Sequence, residues 1–551
     1  MRSLDPQFAF ASLGRRLLSE PRRPVAVRNS PRAHWYVVGT VCIGAFMGQL
    51  DASIVTLALP SIGRGLHASV GAVEWVALSY LLVLVATVAT VGRIADAAGR
   101  KLLYVYGFGV FTAGSVLCGL APTLPVLIAA RVLQAIGAAM LQANSVALIA
   151  EAMPPSVLGP AIGVQGGAQA LGLALGPAVG GLLLAVGGWR MIFLVNLPAG
   201  AIGLALGWFL LPRSRSRREL GATDRLGPLL LALAVAGPLV YLSLGSRAGY
   251  ADGALLLCLA VGVIGALAFV RRERRVAVLL IDLSIVRRPA LAVGLSSGLV
   301  SYLALFGILF AVPYYLSAER VGAASIGLQL AVLPVAIGVT APIAGRLVDR
   351  VGDSAVTAAG LLLAAAGMLE IALRHDTAGL LSGLALAGVG LGGLTPANNA
   401  AIMSASPPGH TGLVSGLLNM TRGLGTALGV ALTGAVFTAV ARVAGANLSQ
   451  ASGAAAGHGL TAAIGVLGAL ALVTGSALLL RARRATGSAD RASDLAGGER
   501  AATTPAWGPD GRGSPAHPGA GVTNPVDNDL LIEGEARLER ALDGTGVGYS
   551  A

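Results

Sequence analysis

Two residues of opposite charge stand inside apolar stretches of this sequence, and together they could bind and release a proton. Asp51 lies in FMGQLDASIVTLALP, residues 46–60, and Arg131 opens RVLQAIGAAM, residues 131–140. A neighbouring guanidinium favours an ionised carboxylate, whereas burial away from water favours the neutral acid. A change in these surroundings could therefore load or release a proton at Asp51, although a satisfied structural acid is the alternative.

The stretches that hold both residues are part of a very apolar chain. Of the 551 residues, 55% are hydrophobic and 12% are charged, and the mean hydropathy is +0.77. An ordinary soluble domain carries about 25% charged residues. Apolar stretches that could cross a hydrocarbon core of about 30 Å recur along the chain. They are too long and too uniformly apolar for barrel strands, so we predict an all-α polytopic membrane protein.

The apolar stretches divide into fourteen predicted transmembrane helices. They cover roughly residues 35–60, 73–92, 102–121, 124–150, 159–186, 191–211, 226–245, 251–270, 290–316, 325–345, 355–373, 378–402, 412–441 and 459–480. Short segments on the side of the termini hold most of the arginines, whereas each opposite loop holds about one. The positive-inside rule then places both termini in the cytoplasm. The net charge of +13 follows this alternation, so a nucleic-acid partner is not expected.

The depths of the two charged residues can be compared on this topology. Asp51 precedes Pro60, near one helix end, by about 13 Å at 1.5 Å per residue, and Arg131 follows Leu124 by about 10 Å from the same membrane face. Charges inside a membrane usually pair with one another or face water. A direct or water-mediated pair is therefore plausible.

The chain is expected to have five parts. They are a basic cytoplasmic tail (1–33), an N-terminal six-helix half (34–211), basic linkers with two extra helices (212–289), a C-terminal six-helix half (290–480) and a disordered cytoplasmic tail (481–551). No metal and no cofactor is expected. The three cysteines fall inside spans as packing residues, no histidine lies in the middle of a span, and GVGLGG at 388–393 lies within a span and not between a strand and a helix.

Two loops share the pattern Gly-Arg-aliphatic-x-Asp-x-x-Gly. The first is GRIADAAGRK, residues 92–101, between spans two and three, and the second is GRLVDRVGD, residues 345–353, between spans ten and eleven. In an arrangement of six plus six helices these loops are equivalent, and spans seven and eight form an inserted pair. Parallel repeats of this kind are common in transporters, whose substrate site lies near the bilayer midplane.

At these residues the sequence resembles the major facilitator superfamily. The first loop resembles its motif A, and RVLQAIGAAM resembles motif B with Ala135 where the family usually has Gly. GLALGPAVGG, residues 172–181, resembles motif C, which marks antiporters. LDASIVTLALP and WRMIFLVNLPAG resemble the fourteen-span branch, the drug:proton antiporter family 2. The resemblance covers about residues 35–480 and implies the major facilitator fold, with two six-helix halves and two extra central helices.

The resemblance also implies roles for these residues. Proton coupling is expected at Asp51 and Arg131, and a cytoplasmic latch in the two repeated loops. The latch residues are Gly92, Asp96, Gly99, Arg100, Lys101 and Asp349, and the antiporter motif contains Gly172, Gly176, Pro177, Gly180 and Gly181. Close packing of two membrane helices would also explain the glycines of motif C.

Further candidates are acids and cavity residues. Glu370 is a second candidate for proton coupling, whereas Glu74 and Glu151 stand at helix ends, where we expect them to be solvated; no second acid is central. The substrate cavity is expected to include Gln134, Tyr302, Phe306, Phe310, Asn398, Asn399 and Asn419. The aromatic residues recur every four positions, a pattern that packing or lipid contact would also explain.

These features predict a secondary transporter that exports small lipophilic molecules in exchange for protons, as a monomer in the inner membrane of a bacterium. With Asp51 alone near the core, neutral or monocationic substrates are expected over dications. A dedicated exporter of one natural product is the alternative among transporters. A membrane sensor or enzyme on the same scaffold is a third possibility, which the missing catalytic constellation disfavours.

Overall fold

The computed structural model of this chain describes residues 20, 23–214, 226–276, 283–407, 411–443 and 453–502. Fourteen long helices fill these ranges, and the described residues contain no β-strand. The helices are α1 (Ala33–Gly65), α2 (Trp75–Ala98), α3 (Arg100–Leu120), α4 (Leu124–Ala152), α5 (Pro155–Gly187), α6 (Asn196–Leu210), α7 (Leu226–Ala248), α8 (Gly253–Glu273), α9 (Pro289–Ala318), α10 (Ala323–Val351), α11 (Asp353–Leu373), α12 (Thr377–Ser404), α13 (Thr411–Val443) and α14 (Gly453–Ala502). Four-residue helices at Val25–Arg28, Val70–Val73, Met191–Leu194 and Leu283–Val286 precede α1, α2, α6 and α9.

The fourteen helices have the length and composition of membrane spans, if α6 is taken together with the short helix before it. Their most apolar windows have mean hydropathies of 1.6 to 2.6. A bilayer core offers no water to the backbone, and a helix satisfies its backbone hydrogen bonds internally. The prediction of fourteen spans is therefore confirmed, and the protein is a multi-pass membrane protein.

The helices pack as two groups of six with an additional pair. In the first group α1 packs on α5, and α3 on α4; in the second, α9 packs on α13, and α11 on α12. The groups meet where α5 contacts α10, α2 contacts α13 and α1 contacts α9. The inserted helices α7 and α8 pack on each other, and α7 also contacts both α2 and α13. One face of α7 thus covers the junction between the two halves.

Burial separates the central helices from the peripheral ones. In α9, 78% of the most apolar window is buried inside the protein, and in α1 67% is buried, against 22% in α8. Helices α1 and α9 therefore occupy the middle of the bundle, where their side chains contact protein instead of lipid.

We call the side of the bundle where α1 ends and α2 begins the far face. Near this face α5 and α10 approach so closely that a Cβ on Gly181 would lie 2.8 Å from Cα of Gly327. Such an approach requires glycine on both helices. The two halves are therefore in direct backbone contact at the far face.

The two repeated loops have similar backbone geometry at their last glycine. Gly99 separates α2 from α3 with a φ of 110°, and Gly352 separates α10 from α11 with a φ of 85°. Glycine adopts such angles without the steric cost that a Cβ brings. The loops thus share both a sequence pattern and a turn at corresponding places in the two halves.

The last helix differs from the sequence prediction. We expected the last span to end near residue 480 and a disordered tail from 481, but α14 is helical as far as Ala502. Residues 1–487 form one compact unit and residues 488–551 a second, of which only 488–502 are described, as helix. The rest of the predicted tail lies outside the described residues.

Candidate functional site

Asp51 and Arg131 form an ion pair in the interior of the N-terminal half. Asp51 lies on α1 and Arg131 on α4, and Nη1 of Arg131 is 2.6 Å from Oδ2 of Asp51. The side chains are 0% and 1% exposed, respectively. Buried charges persist in proteins when they are paired and hydrogen-bonded. The structure therefore brings together the two charges that the sequence placed at similar depths.

Neutral side chains complete the surroundings of Asp51. The amide nitrogens of Gln134 and Asn196 donate to Oδ1 of Asp51 at 2.9 and 3.0 Å. Both amides also donate to Oγ of Ser115, at 3.3 and 3.0 Å. The Ser115 hydroxyl in turn donates to the carbonyl of Phe193 at 2.8 Å. Asp51 thus accepts two amide hydrogen bonds in addition to that from the guanidinium, which suits its ionised form.

Arg131 is also held by groups outside α1. Its Nε donates to the carbonyl of Val76 at 2.9 Å, and its Nη1 donates to Oε1 of Gln134 at 2.7 Å. The guanidinium carbon lies 4.1 Å from the centre of the Tyr80 ring, a cation–π distance. Because Val76 and Tyr80 belong to α2, the charged group connects α1, α2 and α4.

Close packing of α3 against α4 positions this cluster. A Cβ on Gly114 of α3 would lie 2.7 Å from the backbone of Gln134, and one on Gly137 of α4 would collide with the backbone of Phe111. The two glycines allow the helices to meet at the height of Gln134 and Ser115. One residue of each pair in this contact must be small for the helices to pack this closely.

Asn196 is a site residue that sequence analysis missed. It is the first residue of α6, follows the short helix Met191–Leu194, and is 1% exposed. Its Oδ1 has no hydrogen-bond partner, whereas its Nδ2 contacts Asp51. The signal was available, because Asn196 is the polar residue of FLVNLPAG and polar groups inside membranes usually have a function.

The prediction that Glu74 is solvated is wrong. Glu74 lies between the short helix Val70–Val73 and α2, and it is 1% exposed. Ser243 of α7 donates to its Oε2 at 3.1 Å, and its Oε1 has no hydrogen-bond partner. Ser243 is 169 residues away in the chain, so the sequence around Glu74 could not reveal that α7 covers its carboxyl group. Glu74 is therefore as deeply buried as Asp51.

Two cations of the predicted latch have partners in the structure. Lys101 is fully buried, and its Nζ donates to the carbonyl of Leu211 at 2.7 Å. Arg100 forms an ion pair with Glu151 of α4 at 3.0 Å, with both side chains partly exposed. Lys101 therefore connects the start of α3 to the end of α6. Glu151, which we expected to be solvated, is only partly exposed.

The turn at Gly99 also contacts the segments before α1 and after α6. Glu20 packs against Gly99, and its carboxylate accepts hydrogen bonds from the backbone and hydroxyl of Ser214 at 2.7 and 2.8 Å. These contacts join three segments at one side of the bundle. The remaining latch residues are Gly92, within α2, and Asp96 and Asp349, whose side chains lie outside the described residues.

Motif C lets α5 contact both halves. Three of its glycines face α1, namely Gly172, Gly176 and Gly180. A fourth, Gly181, faces α10. The carbonyl of Pro177 also faces Gly327 of α10. The motif C glycines thus pack closely against neighbouring helices, as the packing alternative proposed. Gly181 makes its contact where the far face is closed.

A small cavity, lined by four helices of the N-terminal half and by Asn419 of the C-terminal half, has a described lining of amides, hydroxyls and apolar groups, without a charged side chain. It is lined by Gly44, Ala45, Gly48, Phe111, Ala138, Leu141, Gln142, Ser145, Gln165, Gln169 and Asn419. Asn419, a predicted residue of the substrate cavity, lies in this lining. Gln134 was also predicted there, but it is fully buried in the Asp51 cluster.

The aromatic stripe of α9 is packed inside the protein. Phe306 and Phe310 are 1% and 0% exposed, and the rings of Tyr302 and Phe306 stack with centres 6.3 Å apart. Asn398 is also buried, at 3% exposure. This burial fits the packing alternative for the aromatic stripe, and the cavity role of all these residues stays a prediction.

Arg422 of α13 is a second residue that sequence analysis missed. Its guanidinium donates to Oδ1 of Asn399 at 3.0 Å and to Oδ1 of Asn419 at 3.5 Å. It also lies 5.5 Å from the centre of the Tyr302 ring. The described residues provide no carboxylate partner for it. Three predicted cavity residues therefore surround a half-buried cation.

Glu370 lies apart from the Asp51 cluster, near the end of α11. Its carboxylate accepts a hydrogen bond from Ser382 at 2.6 Å and lies 3.6 Å from Nη1 of Arg374. The side chain is 25% exposed. Its proposed part in proton coupling stays a prediction.

Comparison with known proteins identifies the family. A sequence profile of the Major Facilitator Superfamily matches residues 41–318 and 294–510. The multidrug resistance protein Stp of Mycobacterium tuberculosis is 34% identical, over 72% of this chain and 74% of that protein. The tetracenomycin C resistance and export protein of Streptomyces glaucescens is 30% identical, over 73% and 75%.

Solved structures show the same fold at low sequence identity. A bacterial homologue of the human lysosomal transporter Spinster has a TM-score of 0.58 and 17% identity, covering 83% of this chain and 98% of its own. The two six-helix halves, the inserted pair of helices and the matched profile all indicate the same family. This chain is a fourteen-helix member of the Major Facilitator Superfamily of membrane transporters.

Proposed function

We propose that this protein is a proton-coupled antiporter that exports small lipophilic molecules, drugs among them. The observation that carries the proposal is the buried pair of Asp51 and Arg131, at 2.6 Å and surrounded by donors. Ionisable groups inside transporters commonly form proton relays. The relatives named for multidrug resistance and for export support the direction and the kind of substrate.

Protonation of Asp51 would change the contact between α1 and α4. A neutral Asp51 attracts the guanidinium less, and its new hydroxyl needs an acceptor where Gln134 and Asn196 present donors. Arg131 keeps two acceptors, the carbonyl of Val76 and Oε1 of Gln134. The proton therefore loosens α1 while α4 stays bound to α2. Because α1 also lines the cavity, this movement would couple the proton to substrate access.

The cavity supports substrates that are neutral or carry one positive charge. Its described lining has amide and hydroxyl groups and no free carboxylate that would balance a dication. The nearby guanidinium of Arg422 disfavours cations further, so neutral molecules fit better than monocations. All described residues of this lining belong to one chain, which is consistent with a monomer.

The orientation follows from the distribution of arginine. With the arginine-rich segments in the cytoplasm, both termini are cytoplasmic and the far face is outside. The contacts of Gly181 with Gly327 would then close the outer side of the transporter. The bacterial relatives support the bacterial inner membrane as the location.

Reconstituted protein tests the proposal. A drug panel on a pump-deficient host, with and without a protonophore, first identifies a substrate. In proteoliposomes with an imposed pH gradient, wild-type protein should accumulate this substrate uphill and move protons the other way. Asp51→Asn should abolish both, whereas substrate exchange without a gradient could survive. Asp376→Asn, at the exposed N-terminus of α12, is the matched control and should behave as wild type.

The Asp51→Asn protein should also be less stable than wild type. An asparagine can offer one oxygen, but three donors point at Asp51, so its own amide would face a donor. Uphill transport by Asp51→Asn with unchanged pH dependence would contradict proton coupling at this residue.

A dedicated exporter of one natural product is the second candidate. It is favoured by the resemblance to the tetracenomycin C resistance and export protein. Export restricted to one compound of the panel, together with a biosynthetic gene cluster beside this gene, would support it. Export of chemically unrelated drugs would exclude it.

A further inference from the structure

We infer that Glu74 is a second proton-binding site, located where the two halves close at the far face. Its part in transport rests on the proposed antiport cycle, whereas proton binding at Glu74 does not. Glu74 is not part of the Asp51 cluster, and no described contact links the carboxyl groups of Asp51 and Glu74.

Three parts of the protein meet at the Glu74 carboxyl. The residue itself belongs to the N-terminal half, and Ser243 of the inserted helix α7 donates to its Oε2 at 3.1 Å. The same hydroxyl lies 3.2 Å from the carbonyl of Gly71. From the C-terminal half, Gly434 of α13 approaches so closely that a Cβ would collide with Oε1. In this conformation the carboxyl is therefore covered both by the inserted helix and by the C-terminal half.

The groups around Glu74 favour its neutral form. The described groups that contact it from other elements are uncharged: Ser243 from α7 and Gly434 from α13. Tyr314 of α9, which is close enough to interact with Glu74 electrostatically, carries no positive charge. An ionised carboxylate with one neutral donor and no cation is costly when buried. In this conformation Glu74 is therefore protonated.

Opening of the far face would change this state. Movement of α13 away from α2 removes Gly434 from Oε1 and admits water to the carboxyl. A hydrated glutamate ionises well below neutral pH, at about 4.3. Closing of the face then takes up one proton from the outer solution, and opening returns it there. This proton is not carried across the membrane, in contrast to that proposed for Asp51.

The direction of the pH effect follows from the proton count. The closed state binds one proton more than the open state, so lower pH at the far face favours closure. For one linked proton the ratio of closed to open protein changes by up to about tenfold per pH unit. In the antiport cycle, external acid would thereby speed the return of the empty transporter.

The inference also gives the inserted pair a function. Ser243 supplies the described hydrogen bond to Glu74, and α7 contacts both α2 and α13. The inserted helices therefore cover the protonated carboxyl at the junction of the halves, and they do more than lengthen the linker between them.

Distance measurement between the halves tests the inference without transport. Spin labels at Arg64→Cys and Glu319→Cys, both exposed near the far face, report its opening in protein whose three native cysteines are replaced. All variants also carry Asp51→Asn, so that titration of Asp51 contributes nothing. Between pH 5 and 8, the parent should open progressively as the pH rises. Addition of Glu74→Gln, which mimics the neutral acid, should keep the face closed and remove the pH response.

A second variant covers the possibility that Glu74→Gln does not fold. Gly434→Ala adds a Cβ against Oε1 of Glu74, so the open fraction should increase at every pH while the pH response remains. Gly416→Ala on the same helix is the matched control, since its Cβ would meet no atom within 4 Å. An unchanged pH response in Glu74→Gln, or equal distances for Gly434→Ala and Gly416→Ala, would overturn the inference. Proton-driven transport by the wild type could still be intact in that case, so the two proposals fail separately.

Discussion

Asp51 and Glu74 are two buried carboxyls of the same half, and their partners differ. Asp51 accepts hydrogen bonds from a guanidinium and two amides. Glu74 accepts one hydrogen bond, from the Ser243 hydroxyl, and leaves an oxygen without a partner. Both are at most 1% exposed, so burial does not distinguish them.

We infer from this difference that the partners of these two acids, more than their burial, set their charge. The cation and the two amide donors favour the ionised form at Asp51, and their absence favours the neutral form at Glu74. In our two proposals, Asp51 exchanges its proton when α1 and α4 move, whereas Glu74 responds to the closure that covers it. The following variants test whether partners alone account for this contrast.

Arg131→Gln should have the largest effect, because it gives Asp51 surroundings like those of Glu74. Loss of one partner of a buried ion pair costs about 3–5 kcal/mol while the other stays charged. The folded variant should then hold a proton on Asp51, whereas the unfolded variant should not. The free energy of unfolding should therefore rise as the pH falls. Thermal unfolding at pH 5 and pH 8 should show this difference, and uphill transport should be lost.

Arg131→Lys is the matched control for this prediction. A lysine keeps the positive charge but not the fork of donors, so it should restore part of the stability at pH 8. Equal loss of stability at both pH values in Arg131→Gln would contradict the idea that the cation keeps Asp51 ionised.

Asn196→Ala should have the next largest effect. It removes a hydrogen bond to a charged group, worth about 1.5–3 kcal/mol. Asn144→Ala, on α4, removes an amide that donates to the carbonyl of Met140, and should cost about 0.5–1.5 kcal/mol. Chemical unfolding in detergent measures both. A smaller loss for Asn196→Ala than for Asn144→Ala would show that Asp51 does not depend on its amide donors.

The parts of the molecule that could be predicted from sequence are those with a local signal. Fourteen spans follow from runs of apolar residues, because a helix must be that long to cross the bilayer. Asp51 and Arg131 were found for the same reason, as charges that interrupt such runs. Their similar depths then followed from the rise per residue.

The parts that could not be predicted depend on contacts between distant segments. The burial of Glu74 depends on Ser243 of α7 and Gly434 of α13, which follow it by 169 residues and more. The contact of Gln134 with Asp51 could not be predicted either, because the spacing on α4 alone does not show where its side chain turns. Asn196 was visible as an amide in a span, but its partners lie on α1 and α3.

Arg422→Gln extends the comparison to a cation that lacks an acid. Its guanidinium donates to two asparagines, one of which lines the cavity. A charge at the edge of a cavity interacts with a substrate charge by about 1 kcal/mol or more, which is about a fivefold change in affinity. The variant should therefore transport monocations severalfold better relative to neutral compounds. Competition between a neutral and a monocationic dye in proteoliposomes measures the ratio, and an unchanged ratio would place Arg422 outside the substrate path.

Glu370→Gln should have the smallest effect, and it sharpens the contrast between buried and exposed acids. The carboxylate is partly exposed and lies 3.6 Å from Arg374 one helical turn away, in a pair of the kind that contributes about 0.2–1 kcal/mol. Water already reaches Glu370, so a conformational change alters its surroundings less than those of Asp51. We therefore expect the stability to fall by less than about 1 kcal/mol and uphill transport to remain. Ser382→Ala, which removes the hydrogen bond at 2.6 Å, is the matched variant and should have an equally small effect. If Glu370→Gln abolished uphill transport while exchange without a gradient survived, Glu370 would carry the proton that we assign to Asp51.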